Sequence, residues 1–113
     1  MNAITIPDSV DERLERIRLL MLEAAGKKAD AARLDKKRKM IRAQLMMKAK
    51  ADGLAVGLCA EQAMASQAYA DAVDEHYLAD VAAGLADAEA KAANLKWETW
   101  RTMAANKRAE MKL

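Results

Sequence analysis

The sequence has no phenylalanine, and its only large rings are two tryptophans and two tyrosines. Hydrophobic residues still make up 53% of the 113 residues, and alanine dominates that fraction. Alanine is the best helix former but fills a core poorly, because its side chain is a single methyl group. This composition argues against a large hydrophobic core within a single chain. It favours long helices that pack closely against one another or against other copies of the chain.

Cysteine and proline are also scarce, with one of each. The single cysteine, Cys59, excludes an intramolecular disulfide. The beginning of the sequence does not resemble a secretory signal, and no apolar run approaches the roughly 20 residues that span a membrane. These absences predict a soluble, cytoplasmic protein without membrane contact.

Catalytic and metal-binding patterns are missing as well. His76 is the only histidine, and Cys59 lies too far along the chain to suggest a paired metal ligand. The acidic residues of the middle segment do not have the order of a calcium loop, and no glycine-rich phosphate loop is present. We therefore expect a protein that is not an enzyme and needs no metal or cofactor.

Charge is distributed unevenly along the chain, although the net charge is only +2. Residues 27–50 carry ten basic and two acidic groups, whereas residues 52–90 carry eight acidic groups and no lysine or arginine. A segment of +8 is thus followed directly by one of −8. The near-neutral average therefore hides a strongly basic and a strongly acidic segment. The acidic residues form either a solvated face or a patch that attracts the basic surface of a partner.

Helix start and stop signals predict the element boundaries. Ser9 and Glu12 have the spacing of a capping box, Gly53 and Gly57 interrupt the helical pattern, and Asp74 is a suitable N-cap. The sequence therefore predicts one helical domain over 1–113, with a long basic helix at 9–52, a break at 53–59, a short helix at 60–73 and a closing helix at 75–112.

The predicted fold is all-α, an antiparallel hairpin of two long helices that assembles into a homo-oligomer. Two apolar stripes on the closing helix indicate two packing partners. On the first helix, the heptad spacing of the apolar residues is interrupted where the charge peaks. The residues predicted to pack within or between chains are Leu34, Ile41, Leu45, Leu78, Val81, Leu85, Leu95, Trp97 and Trp100.

Basic residues border the apolar stripe of the first helix on both sides. Several like charges at an assembly surface are tolerated mainly when phosphates or acidic side chains neutralise them. Nucleic acid is one such partner; the acidic segment of a neighbouring copy is another, and a solvated helix face is the third interpretation. The predicted nucleic-acid contacts are Arg33, Lys36, Lys37, Arg38, Lys39, Arg42, Lys48 and Lys50.

The two tryptophans allow two interpretations. Trp97 and Trp100 lie three residues apart on a predicted helix, with Lys96 and Arg101 nearby. Rings beside cations can stack on the bases of single strands. The same spacing is more typical of two rings packed in a helix interface.

Residues 47–52, MKAKAD, resemble the Leu-Lys-Ala-Arg-Leu-Asp motif of the UvsY family of phage recombination mediators. The order of features over residues 30–113 is also similar: a basic helix that ends in the motif, a glycine break, a short helical stretch and a closing alanine-rich helix. The resemblance implies a ring-like oligomer that binds single-stranded DNA and helps to load a recombinase onto strands covered by single-strand-binding protein. Lys48 and Lys50 would then contact DNA.

Two hypotheses of different classes follow. The first is a non-enzymatic, oligomeric accessory protein that binds single-stranded DNA through the basic segment. The second is a coiled-coil structural, assembly or inhibitor protein that acts through protein–protein contacts of its acidic segment and apolar stripes.

Overall fold

The fold is all-α, as predicted. The computed structural model describes residues 9–112 and contains three helices: α1 (Val10–Ala51), α2 (Val56–Met64) and α3 (Gln67–Met111). No strand occurs between residues 9 and 112. Two long helices joined by a short one are therefore confirmed. The first and last parts of the predicted single domain, residues 1–8 and 113, lie outside the described residues.

Both ends of α1 are closed by local hydrogen bonds. The Ser9 hydroxyl accepts the backbone N–H of Glu12 at 3.2 Å, as the capping-box spacing predicts. At the other end, Gly53 has a φ of 90°, and the N–H of Leu54 donates to the carbonyl of Ala49 at 3.1 Å. This is a Schellman motif, which favours glycine because other residues are strained at positive φ.

Both predicted ends of α2 and the predicted start of α3 are wrong, whereas the predicted end of α3 is correct to within one residue. The break is shorter than 53–59, since α2 already begins at Val56 and includes Gly57. The second interruption lies at Ser66 instead of Asp74: the Ser66 hydroxyl accepts the N–H of Tyr69 at 3.1 Å and so caps the start of α3. Asp74 is inside α3, where the preceding turn already supplies hydrogen-bond partners for the backbone.

The described residues form two compact units, which we consider separately. The first comprises residues 9–25 and 85–112. Its small core is a cluster of Ala24, Ala86 and Ala90, against which Leu20 packs, and Ile17 and Trp97 are also buried. Alanine at interior positions lets helix axes approach closely, since the interaxial distance depends on the side chains at the contact.

The second unit comprises residues 26–84. Its interior is again formed mainly by small side chains, and these buried residues are Ala31, Ala49, Cys59, Ala63, Ala72 and Ala83. On α1 the interior positions continue at steps of three and four residues, through Ala31, Leu34, Arg38, Ile41 and Leu45. Half-buried Arg38 occupies one of these positions, so the helical spacing of the interior continues while a charged side chain interrupts its apolar residues.

The large side chains predicted to pack on α3 are mostly exposed in the single chain. Leu78, Leu85 and Leu95 are each about two-thirds exposed, at 66%, 69% and 68%, and Val81 is 43% exposed. Alanines occupy the interior positions instead. Most of the surface of the three leucines is therefore available to a second molecule.

Candidate nucleic-acid interface

The eight predicted contact residues lie on α1, within the unit formed by residues 26–84. Six of them are exposed, whereas Arg38 and Arg42 are half-buried. The buried Nε of Arg42 has no hydrogen-bond partner in the described part of the chain. Arg42 therefore contributes its stem to the helix interface and is poorly placed to reach a phosphate.

Three of the eight cations are paired with acidic residues of the same unit. Arg38 donates to Asp35 Oδ1 through Nη2 at 2.7 Å, and Lys39 Nζ lies 3.1 Å from Asp35 Oδ2. Lys37 Nζ donates to Glu75 Oε1 on α3 at 3.2 Å. Glu75 of the acidic segment thus neutralises Lys37 of the basic segment within one chain, whereas the sequence suggested only a neighbouring copy for this role. Asp35 belongs to the basic segment itself.

Arg38 and Asp35 connect α1 to α3. Arg38 Nη1 donates to the hydroxyl of Tyr69 at 3.0 Å, and His76 Nδ1 lies 3.9 Å from Asp35 Oδ1. Hydrogen bonds from Arg38, and then from Lys39, lower the pKa of Asp35 from 3.8 to about 2. In the folded protein the Asp35 carboxylate therefore stays ionised at pH values at which the same carboxylate of the unfolded chain is already protonated.

This pKa shift predicts a pH dependence of stability. A carboxylate whose pKa is lower in the folded state stabilises the fold above about pH 4, and that contribution disappears as the pH falls through about 2. We expect Asp35→Asn to lower the free energy of unfolding at pH 7, and the difference from the wild type to shrink below pH 4. Urea unfolding of both proteins at several pH values measures this difference in the free energy of unfolding. The control Asp30→Asn removes an exposed carboxylate of α1 that has no ion pair within residues 9–112.

Five of the eight cations have no ion-pair partner among residues 9–112; apart from half-buried Arg42, they are Arg33, Lys36, Lys48 and Lys50. At 100° per residue, Arg33, Lys36 and Lys50 fall within an arc of about 100° on the side of α1 opposite its interior positions. Met40 and Met47, which are 56% and 72% exposed, lie in the same arc. We call these five residues the basic face.

Lys48 lies apart from the basic face, by roughly 60° around the helix at 100° per residue. It lines a shallow depression together with Asp52, Gln62 and Ser66. The carboxylate of Asp52 makes this depression less attractive for a phosphate group. Lys48 and Lys50 also occupy the last turn of α1, where cations interact favourably with the helix dipole. The structure therefore separates the two lysines that the motif places together.

The tryptophan pair lies in the other unit, on α3. Trp97 is 8% exposed and Trp100 is half-buried. Their ring centroids are 5.2 Å apart with an interplanar angle of 27°, which is a stacked arrangement. A buried ring that already stacks on its neighbour offers little surface to a base, so the arrangement favours packing.

The remaining candidates for chemistry are accounted for by local contacts. Cys59 is buried, and its Sγ lies 3.4 Å from the carbonyl oxygen of Ala55. Within residues 9–112, no three histidine, cysteine, aspartate or glutamate residues lie close enough together to hold a metal ion. None of the helices in this range has an apolar stretch long enough to cross a membrane.

Comparisons of the chain with known protein families, curated proteins and solved structures found no match. The function must therefore be inferred from the chain's own surfaces.

Two parts of this surface were not evident in the sequence. Exposed Met40 and Met47 belong to the basic face, and the only available signal was their spacing of seven residues, which places them on one side of a helix. The second part is Tyr69. Its contact with Arg38 was not evident in the sequence because it depends on how α1 and α3 pack within the unit.

Proposed function

We propose that the protein is a non-enzymatic, oligomeric accessory protein that binds single-stranded DNA through α1, and that it assists recombinase loading in the manner of a phage recombination mediator. The observation that carries this proposal is the basic face. Arg33, Lys36 and Lys50 are exposed, lie on one side of one helix and have no carboxylate partner among the described residues. Uncompensated cations arranged in this way attract a polyanion.

The composition of the basic face favours a single strand over a duplex. Met40 and Met47 lie between the cations and present polarizable, apolar surface. Unpaired bases have exposed faces that can contact such side chains, whereas duplex bases are stacked on one another. The cations would bind phosphates, and the methionines would lie against bases.

The partners follow from the same proposal. Single-stranded DNA is the ligand, and further copies of the chain form the oligomer. A recombinase and a single-strand-binding protein are the additional partners that the UvsY resemblance implies. The place of action is the cytoplasm of the bacterial host cell.

The salt dependence of binding tests the proposal. For single strands the logarithm of the affinity falls by about 0.7 per neutralised phosphate for each tenfold increase in salt. With the three cations of the basic face engaged, we expect about 20-fold weaker binding at 200 mM than at 50 mM salt. Fluorescence anisotropy of a labelled oligothymidine measures this. No binding at 20 mM salt rejects the proposal, and equal affinity for a duplex of the same length rejects the single-strand preference.

A second candidate is a coiled-coil structural, assembly or inhibitor protein that acts through protein–protein contacts. It is favoured by the exposed leucines of α3 and by the ion pair of Lys37 with Glu75, which shows that the basic segment already has an acidic partner in the chain. Under this alternative, charge changes on the basic face alter partner capture, and nucleic acid has no effect on the protein.

A further inference from the structure

Helix α3 has a second regular face within the unit formed by residues 9–25 and 85–112. Six exposed residues recur there at alternating steps of three and four, and we call them the outer stripe: Leu85, Ala88, Ala92, Leu95, Thr99 and Thr102. At 100° per residue, the outer stripe lies roughly opposite the buried positions Ala86, Ala90 and Trp97. This spacing is that of the a and d positions of a coiled coil.

The two threonines do not prevent burial of the outer stripe. The hydroxyl of Thr99 donates to the carbonyl oxygen of Leu95 at 2.9 Å, and that of Thr102 donates to the carbonyl oxygen of Glu98 at 3.0 Å. Both donors are therefore satisfied inside their own helix, and burial would leave no hydroxyl donor without a partner. The outer stripe can thus be covered by an apolar surface.

Charges beside the outer stripe favour one orientation of a second helix. Glu89 and Lys96 lie along one edge, and Lys91 and Glu98 along the other; all four are exposed. In a parallel pair, Lys91 would lie beside Lys96 of the second copy, and this repulsion would occur twice. In an antiparallel pair, Glu89 would lie beside Lys96 of the second copy, and Lys91 beside its Glu98.

We propose that the outer stripe of α3 binds the outer stripe of a second copy of this chain in antiparallel orientation, with Ala92 level with Leu95 of the second copy. A twofold axis would then produce each of the two ion pairs twice. In the single chain Lys91 contacts Asp87 at 2.9 Å and Glu98 lies 3.6 Å from Arg101, so the pair between copies would replace these two exposed contacts. The proposal deepens the oligomer part of the proposed function by naming the surface and the partner.

Sedimentation equilibrium of the full chain without nucleic acid tests the surface. We expect the wild type to form dimers or multiples of them, and Leu95→Glu to weaken association by more than about 100-fold because it places two carboxylates in the buried stripe. The matched control is Leu22→Glu, which changes an exposed leucine of α1 in the same unit. A monomeric wild type, or a control that dissociates as fully as Leu95→Glu, overturns the proposal.

Charge exchange tests the orientation and remains informative if Leu95→Glu fails to fold. Lys96→Glu places two glutamates side by side in the antiparallel pair, and we expect roughly 10-fold weaker association. Glu89→Lys combined with Lys96→Glu restores both pairs and is expected to recover the wild-type affinity. Stronger association of Lys96→Glu alone indicates a parallel pair and overturns the proposal.

Failure of this inference is distinguishable from failure of the proposed function. The mass is measured without DNA, and the outer stripe lies on α3 whereas the basic face lies on α1. An intact dimer that does not bind oligothymidine at 20 mM salt supports the outer stripe and rejects DNA binding. A monomer that binds oligothymidine supports DNA binding and rejects the role of the outer stripe.

Discussion

Replacing Arg33, Lys36 and Lys50 together by glutamate is expected to weaken binding to a single-stranded oligonucleotide about 500-fold at 50 mM salt. The estimate follows from losing three phosphate contacts. Each contact adds about 0.7 to the slope of log affinity against log salt concentration, and that slope acts over the roughly 20-fold range from 50 mM to molar salt. The salt dependence should become shallower by about two units of slope for the same reason. All three side chains are exposed and have no ion pair within residues 9–112, so the fold should not change. Anisotropy titrations at several salt concentrations measure both effects.

A control with the same change in net charge separates local contact from general attraction. Arg101, Lys107 and Arg108 are exposed on α3, and their replacement by glutamate also lowers the net charge by six. We expect this variant to keep most of the affinity. If both triple variants lose affinity equally, binding reflects net charge alone and the basic face is not a site.

Replacing Trp97 by alanine is expected to lower the free energy of unfolding by about 3 to 5 kcal/mol. Trp97 is 8% exposed, so its removal leaves a cavity and ends its stacking with Trp100. A domain of this size has a total stability of about 5 to 15 kcal/mol, so the loss would leave a large fraction unfolded on warming. Chemical unfolding followed by circular dichroism, at one fixed protein concentration, measures the change.

The half-buried neighbour provides the comparison for Trp97. Trp100→Ala should cost less, because part of its ring already contacts water. Both variants should bind oligothymidine normally under conditions in which they are folded. A Trp97→Ala protein that keeps its stability but loses DNA binding contradicts the packing role and identifies the ring as a base-stacking surface.

Local patterns predicted the helix ends where a single side chain or backbone conformation determines the structure. Ser9 begins α1 and Gly53 ends it, as the sequence indicates. A hydroxyl cap and a positive φ involve only a few neighbouring residues, so both can be predicted from the local sequence. The start of α3 was missed because two candidate caps, Ser66 and Asp74, lie eight residues apart in an alanine-rich stretch. Both are good caps, and alanine continues a helix through either one.

The sequence could not show which stripe of α3 faces inwards. Ranking by hydrophobicity selects Leu78, Leu85 and Leu95, yet the interior contains Ala83, Ala86 and other alanines. Close helix packing favours small side chains, and whether helices pack closely depends on both surfaces at once. The same reason explains why the eight basic residues could not be divided into paired and unpaired groups in advance.

The sequence by itself determined the all-α class and the separation of positive from negative charge along the chain. It also determined the positions of three of the four ends of the two long helices to within a few residues. These depend on propensity, caps and composition, which act over a few neighbouring residues. Only the tertiary structure decided that Arg38 is half-buried against Asp35 and Tyr69, that Glu75 pairs with Lys37, and that the leucines of α3 remain exposed. Those outcomes depend on contacts between α1 and α3 within each unit, where burial and charge pairing are settled by residues tens of positions apart.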